Sequence, residues 1–194
     1  ATQPLPAGNQ VVVLTTAGGW GVVAADAVTT HPSLELAPLP KDLLTAIDSM
    51  LPPRWSRNNP VDLAGGETRD TIPELLDLVA GHHSVDAIIQ LGLGIQGNTA
   101  ALTRGGPFYP DHGLRRIVEF HENQENRYAT AAVEASTTHD KPVLVASELA
   151  VARPDNPMVA AVRASGRLCY PSADRAVVAL GQATRYASWR RDLA

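Results

Sequence analysis

The chain has 194 residues, 44% of them hydrophobic, with 16 Lys and Arg against 20 Asp and Glu for a net charge of −4. That size supports one sizeable core or two small ones. With no basic run in the sequence, nucleic acid is excluded as the main partner, because backbone phosphates must be met by clustered Lys and Arg.

Residues 1–10, "ATQPLPAGNQ", read as a linker without the basic start or apolar middle of a signal peptide. The chain opens without Met, as an excised or processed piece would. No apolar run reaches the roughly 18 residues of a membrane span. The one cysteine, Cys169, rules out an internal disulfide framework and a cysteine-rich zinc site. A reducing compartment, the cytoplasm, is therefore expected.

Val11 to Thr15 reads as a buried strand, and Trp20, Val23, Ala24, Ala27 and Val28 follow at the spacing of one helix face. "LEL" (34–36) is a short strand. Leu43, Leu44, Ile47, Met50 and Leu51 repeat at helical spacing until Pro52 and Pro53 stop the helix. A loop, "RWSRNNPVDLAGGE", follows. The next helix carries a capping box in "TIPE", with Thr71 as N-cap and Glu74 three residues on. "VDAIIQLG" (85–92) is a second central strand.

Residues 97–112 are rich in Gly and Pro and read as a surface loop. From Leu114 to about Ser136 a long helix places Ile117, Phe120, Gln124, Tyr128 and Ala131 on one side. "PVLVA" (142–146) is a third central strand, "NPMVAAVRASG" a short helix and "RLCY" a closing strand. Ala173, Ala176, Val177, Leu180, Ala183 and Ala187 stripe a terminal helix capped by Ser172. Alternating strands and helices imply right-handed crossovers and a flavodoxin-like or Rossmann-like α/β fold. The expected sheet is doubly wound and mostly parallel, with about five strands and helices on both faces. It would bind ligands at the carboxyl ends of its strands.

In "TTAGGWG" the glycines fall at a strand-to-helix turn. Free N–H groups and the positive end of a helix dipole favour an anion there, and Thr15 and Thr16 add hydroxyls. A tight turn with close helix–strand packing explains the same glycines without a ligand. "GLGIQG" (92–97) matches the dinucleotide fingerprint in form, but no acidic residue ends a strand about 20 residues on. It reads as a second glycine loop on the same sheet edge. Asn59 and Asp62, in "NNPVDLAGG", either contact a ligand or hydrogen-bond nearby backbone. His121 and Glu122 lack the second His of a zinc helix, and "ASELA" around Ser147 lacks the glycines of a nucleophile elbow. No catalytic residue and no metal site is assigned.

Together, "TTAGGWGVVAADA", "NPVDLAGG" and "KPVLV" resemble the NDP-forming acyl-CoA synthetases of the succinyl-CoA synthetase superfamily, such as ADP-forming acetate–CoA ligase. Thr15, Ala17, Gly18, Gly19, Gly21, Val22, Ala24 and Asp26 match the family's glycine-turn pattern. Thr16 stands where Asn is usual, and Trp20 where Pro is usual. The resemblance implies a C-terminal flavodoxin-like ligase domain spanning 1–194, with 97–138 as an elaborated loop and long helix. It implies conversion of ATP, a carboxylic acid and CoA to acyl-CoA, ADP and phosphate through an acyl phosphate and a phosphorylated histidine, and leaves open whether the nucleotide pair is the adenine or the guanine one. Thr15, Thr16, Ala17, Gly18 and Gly19 would cradle that phosphate, with Gly92, Gly94 and Ile95 in an adjoining loop. The histidine, the CoA-binding domain and the ATP-grasp domain with its Mg would lie on partner domains or subunits, leaving this piece inactive alone and without a permanently bound cofactor. The rival reading is a standalone flavin- or nicotinamide-binding module that uses "GLGIQG".

Overall fold

The computed structural model describes residues 3–66 and 68–193. The first two residues of the expected linker, Glu67 at the end of the "NPVDLAGGE" loop, and Ala194 lie outside them. In chain order the elements are β1 (Gln10–Thr15), α1 (Gly18–Thr30), β2 (Glu35–Leu36), α2 (Lys41–Asp48), β3 (Val61–Asp62), α3 (Thr71–Gly81) and β4 (Ala87–Leu91). They continue with α4 (Ile95–Arg104), α5 (Leu114–Thr138), β5 (Val143–Ala146), α6 (Leu149–Ala152), α7 (Pro157–Ala164), β6 (Cys169–Tyr170) and α8 (Ala173–Asp192).

All strand pairs are parallel, in the order β2-β1-β4-β5-β6, and β3 also pairs with β1. Among the described residues the sheet thus has six strands where about five were expected, because "NPVDL" supplies a two-residue strand within the loop. With β3 set aside, the order is that of flavodoxin-like sheets.

Both faces are covered, so Val11 to Thr15 of β1 and all of β4, Gln90 included, are buried rather than alternating. The pleat sends Val12 and Leu14 into one core with Leu43, Leu75, Ala132 and Val159 of α2, α3, α5 and α7. It sends Val11 and Val13 into the other with Ala24 and Val28 of α1 and Val177 and Leu180 of α8. Each buried Val or Leu contributes roughly 1.5–3 kcal/mol. A polar residue in β1 would therefore weaken one of the two layers.

Five expectations change. Residues 95–104 form a helix, α4, not a loop; the Gly and Pro that suggested a loop fall just after it, at 105–110. On α1 the buried face is Gly21, Ala24 and Val28, while Trp20 and Val23 are exposed. On α5, Gln124, Tyr128 and Ala131 are buried, but Ile117 and Phe120 are exposed, and the buried stripe includes Val118, Glu125, Ala132 and Ser136. Thr71 does not cap α3. Its Oγ1 accepts from Thr68 N at 2.9 Å, in the preceding turn, and Asp70 takes the N-cap position and pairs with Arg127. The segment before β1 also packs against the body: Gln3 bonds both the N–H and the C=O of Val143 and accepts from Arg167 Nη1 at 2.7 Å.

The expected cap of the terminal helix holds. Ser172 Oγ accepts from Arg175 N at 3.3 Å and caps α8. Asn156 caps α7, with Pro157 at the first helical position.

Candidate functional site

The chain leaves β1 toward β2 on one side and returns at β4 on the other, so the carboxyl ends of β1 and β4 flank a switch in winding direction. These ends feed α1 and α4. The two glycine loops therefore lie side by side, joined by Thr16 Oγ1 donating to Gly92 O at 2.9 Å.

At the first loop, Thr15 is fully buried; its Oγ1 donates to Ala17 O at 2.8 Å and accepts from Ala17 N at 3.0 Å. Both threonine hydroxyls expected as ligand donors thus hold the turn itself. Ala17 is the N-cap, in extended conformation, with no side-chain cap and no acidic residue in the first turn of α1. The first N–H groups of a helix have no intrahelical acceptor, and the dipole adds positive charge behind them. At Gly19 an added Cβ would meet nothing within 4 Å, so this end of the helix is open to approach. At Gly18 it would lie 2.5 Å from Asp62 Oδ2.

The second loop differs. Gly92 and Gly94 have φ of 78° and 102°, conformations that favour glycine, and side chains there would strike Thr16 and Leu149 respectively. Gly94 N donates to Glu125 Oε1 at 2.7 Å and Gly97 N to Oε2 at 3.0 Å. Asn156 Nδ2 donates to Gly94 O at 3.0 Å. Burial pushes the Glu125 carboxyl above its ordinary range, against the pull of the N–H groups of Gly97, Gly94 and Gln96. Ile95 is half exposed. The cavity beside Gly92, Leu93 and Ile95 holds only about 30 Å³. "GLGIQG" does open a helix, as the dinucleotide fingerprint requires, yet the N–H groups of Gly94 and Gly97 already hold a carboxylate.

Asn59 is buried, and its amide lies alongside β1 between the short strands β2 and β3. Oδ1 accepts from Val13 N at 3.0 Å; Nδ2 donates to Val11 O at 2.8 Å and to Ala37 O at 3.0 Å. It bonds the β1 edge as a strand backbone would. Asp62 Oδ1 accepts from Ala64 N at 3.0 Å, an Asx turn, while Oδ2 faces Gly18.

Beside α1 lies a cavity of about 170 Å³, lined by Trp20, Val23, Leu91, Ala146 and Ser147 among others. His121 bonds Gln96, and Glu122 pairs with Arg104 at 2.8 Å. Among the described residues, no three or more His, Cys, Asp or Glu gather as a metal would require, and no helix is long and apolar enough to cross a membrane. Sequence reasoning missed Glu125 and Asn156. The available signal was an acidic residue inside the buried stripe of a helix, at 125.

The sheet, its switch point and the glycine turn define a doubly wound α/β domain whose first helix starts uncapped at the switch point. More particularly, residues 11–99 match the family model described as Ligase-CoA domain. Over 90 residues the chain is 36% identical to the acetate–CoA ligase [ADP-forming] II subunit alpha of Pyrococcus furiosus, covering 46% of this chain and 20% of that subunit. Over 89 residues it is 30% identical to the 4-hydroxybutyrate–CoA ligase [ADP-forming] of Nitrosopumilus maritimus, covering 46% of this chain and 12% of that enzyme. The resemblance drawn from the motifs therefore holds over this stretch, and the chain matches only a minor part of each relative's length.

In fold, 96% of the chain superposes on 38% of a crystallised Pyrococcus horikoshii OT3 protein, with a TM-score of 0.69 at 22% identity. The dinucleotide forming acetyl-coenzyme A synthetase 1 of Ca. Korarchaeum cryptofilum, in complex with phosphate and ADP, matches 99% of this chain with 37% of its own, at a TM-score of 0.66 and 23% identity.

Proposed function

We propose that the chain is a ligase domain of an ADP-forming acid–CoA ligase, in which the N-terminus of α1 receives a phosphoryl group carried on a histidine of another domain. The observation that carries this reading is the helix end at Gly18 and Gly19. It has no side-chain cap and no acidic residue in its first turn, it opens to solvent at Gly19, and it lies within the matched segment. The first N–H groups of such a helix lack intrahelical acceptors and the dipole places positive charge behind them, which is how a protein stabilises a phosphoryl group in transit. Thr16, engaged with Gly92, serves to hold the turn. Acid activation, nucleotide and CoA binding, and Mg then belong to partner domains or subunits, and the piece alone is inactive.

In the complete ligase, Gly19→Val places a branched side chain over these N–H groups. Acyl-CoA formation is expected to fall by about 10²-fold or more, the scale seen when oriented N–H donors are lost from a developing charge. A complete ligase indifferent to Gly19→Val, or acyl-CoA synthesis by the present chain alone, contradicts the proposal.

A further inference from the structure

Glu125 is a buried charge that the reading above leaves unused. It is 1% exposed, on α5, and among the described residues no cation contributes to its electrostatic setting. A carboxylate in that position is costly unless something replaces water around it. What replaces water is the end of α4: Gly94 N donates to Oε1 at 2.7 Å and Gly97 N to Oε2 at 3.0 Å. The two oxygens thus sit where a bound anion would sit at a helix N-terminus. The same loop passes its Gly92 carbonyl to Thr16, one residue ahead of the α1 cap.

We propose that Glu125 is the resident anion of α4. It closes that helix end to phosphate, so that the switch point receives a single phosphoryl group, at α1. What α1 receives rests on the function proposed above; what occupies α4 does not. The two adjacent glycine loops then have different tasks. One is open and takes the ligand; the other is filled from within and braces the first.

The test uses the ¹⁵N-labelled chain and its Glu125→Ala and Glu125→Gln variants. In the unmodified chain, inorganic phosphate is expected to leave the amide signals of Gly94 and Gly97 in place. In Glu125→Ala, formate, a carboxylate small enough for the vacated space, is expected to raise Tm and shift those two signals, while leaving the Tm of the unmodified chain unchanged. A side chain that only fills space gives a lower Tm that formate does not restore, and that result overturns the proposal. So does a phosphate response at Gly94 and Gly97 in the unmodified chain. Should Glu125→Ala not fold, the isosteric Glu125→Gln decides. It offers one oxygen for two donors, so one of the two amide protons must move upfield, and unchanged shifts at both overturn the proposal. Failure of the Gly18 and Gly19 amides to respond to phosphate counts against the function proposed for α1 and leaves the formate result at α4 standing.

Discussion

Gly18 and Asp62 are locked together: a first side-chain carbon on residue 18 would lie 2.5 Å from Asp62 Oδ2, inside any real contact. A side chain at Gly18 therefore needs the Asp62 carboxylate, which also holds Ala64 N, to move aside, whereas at Gly19 it displaces nothing. Gly18→Ala is expected to destabilise by about 1–3 kcal/mol, the usual range for overpacking, and Gly19→Ala to leave stability close to unchanged. Urea denaturation of both variants checks this. In an Asp62→Ala background the Gly18→Ala penalty should shrink, and additive penalties would show that Asp62 is not the obstacle.

Asn59→Ala leaves Val13 N and Ala37 O without their side-chain partner, while Val11 O keeps the bond from Ala37 N at 2.8 Å. Each buried group left unsatisfied costs about 1–3 kcal/mol. The variant is expected to lose several kcal/mol by denaturant unfolding or to fail to fold. A stability within measurement error of the unmodified chain would return Asn59 to the list of candidate ligand residues.

Glu125 makes stability depend on pH in a known direction. Burial raises its folded-state pKa above the ordinary carboxylate value, so between those two values the folded state holds more protons than the unfolded chain. Its contribution therefore falls as pH rises through that window and is flat above it. Subtracting the Tm profile of Glu125→Gln isolates this contribution, because His121, one turn earlier on α5 and bonded to Gln96, is common to both. A difference that grows with pH across the window would contradict the assignment.

Cys169 is buried, with Sγ 3.8 Å from Met158 Sδ, and burial pushes its thiol up to about 11. The reactive thiolate is then scarce at neutral pH. A thiol reagent should modify it only under denaturing conditions, and rapid stoichiometric labelling of the native chain would contradict the burial.

The fold class was legible because β1 and β5 carry uninterrupted apolar runs, β4 is apolar but for Gln90, and their crossovers carry helical periodicity. The site was half legible. "TTAGG" announced a strand-to-helix turn, and the helix does start there without a side-chain cap. What stayed hidden was polar: Asn59 standing in for strand backbone, and Glu125 lying in the buried stripe of α5. Hydrophobic periodicity cannot register a side chain buried for its hydrogen bonds. α4 was missed for a simpler reason, that the Gly105-Gly106-Pro107 run just after it colours the window around it.

The most direct test of the central claim is a phosphate titration of the ¹⁵N-labelled chain, followed at each backbone amide. Saturable shifts confined to Gly18, Gly19 and their immediate neighbours, abolished by Gly19→Val in a variant that remains folded, are the predicted result. No shift at Gly18 and Gly19, or shifts of equal size spread over unrelated surface amides, would contradict it.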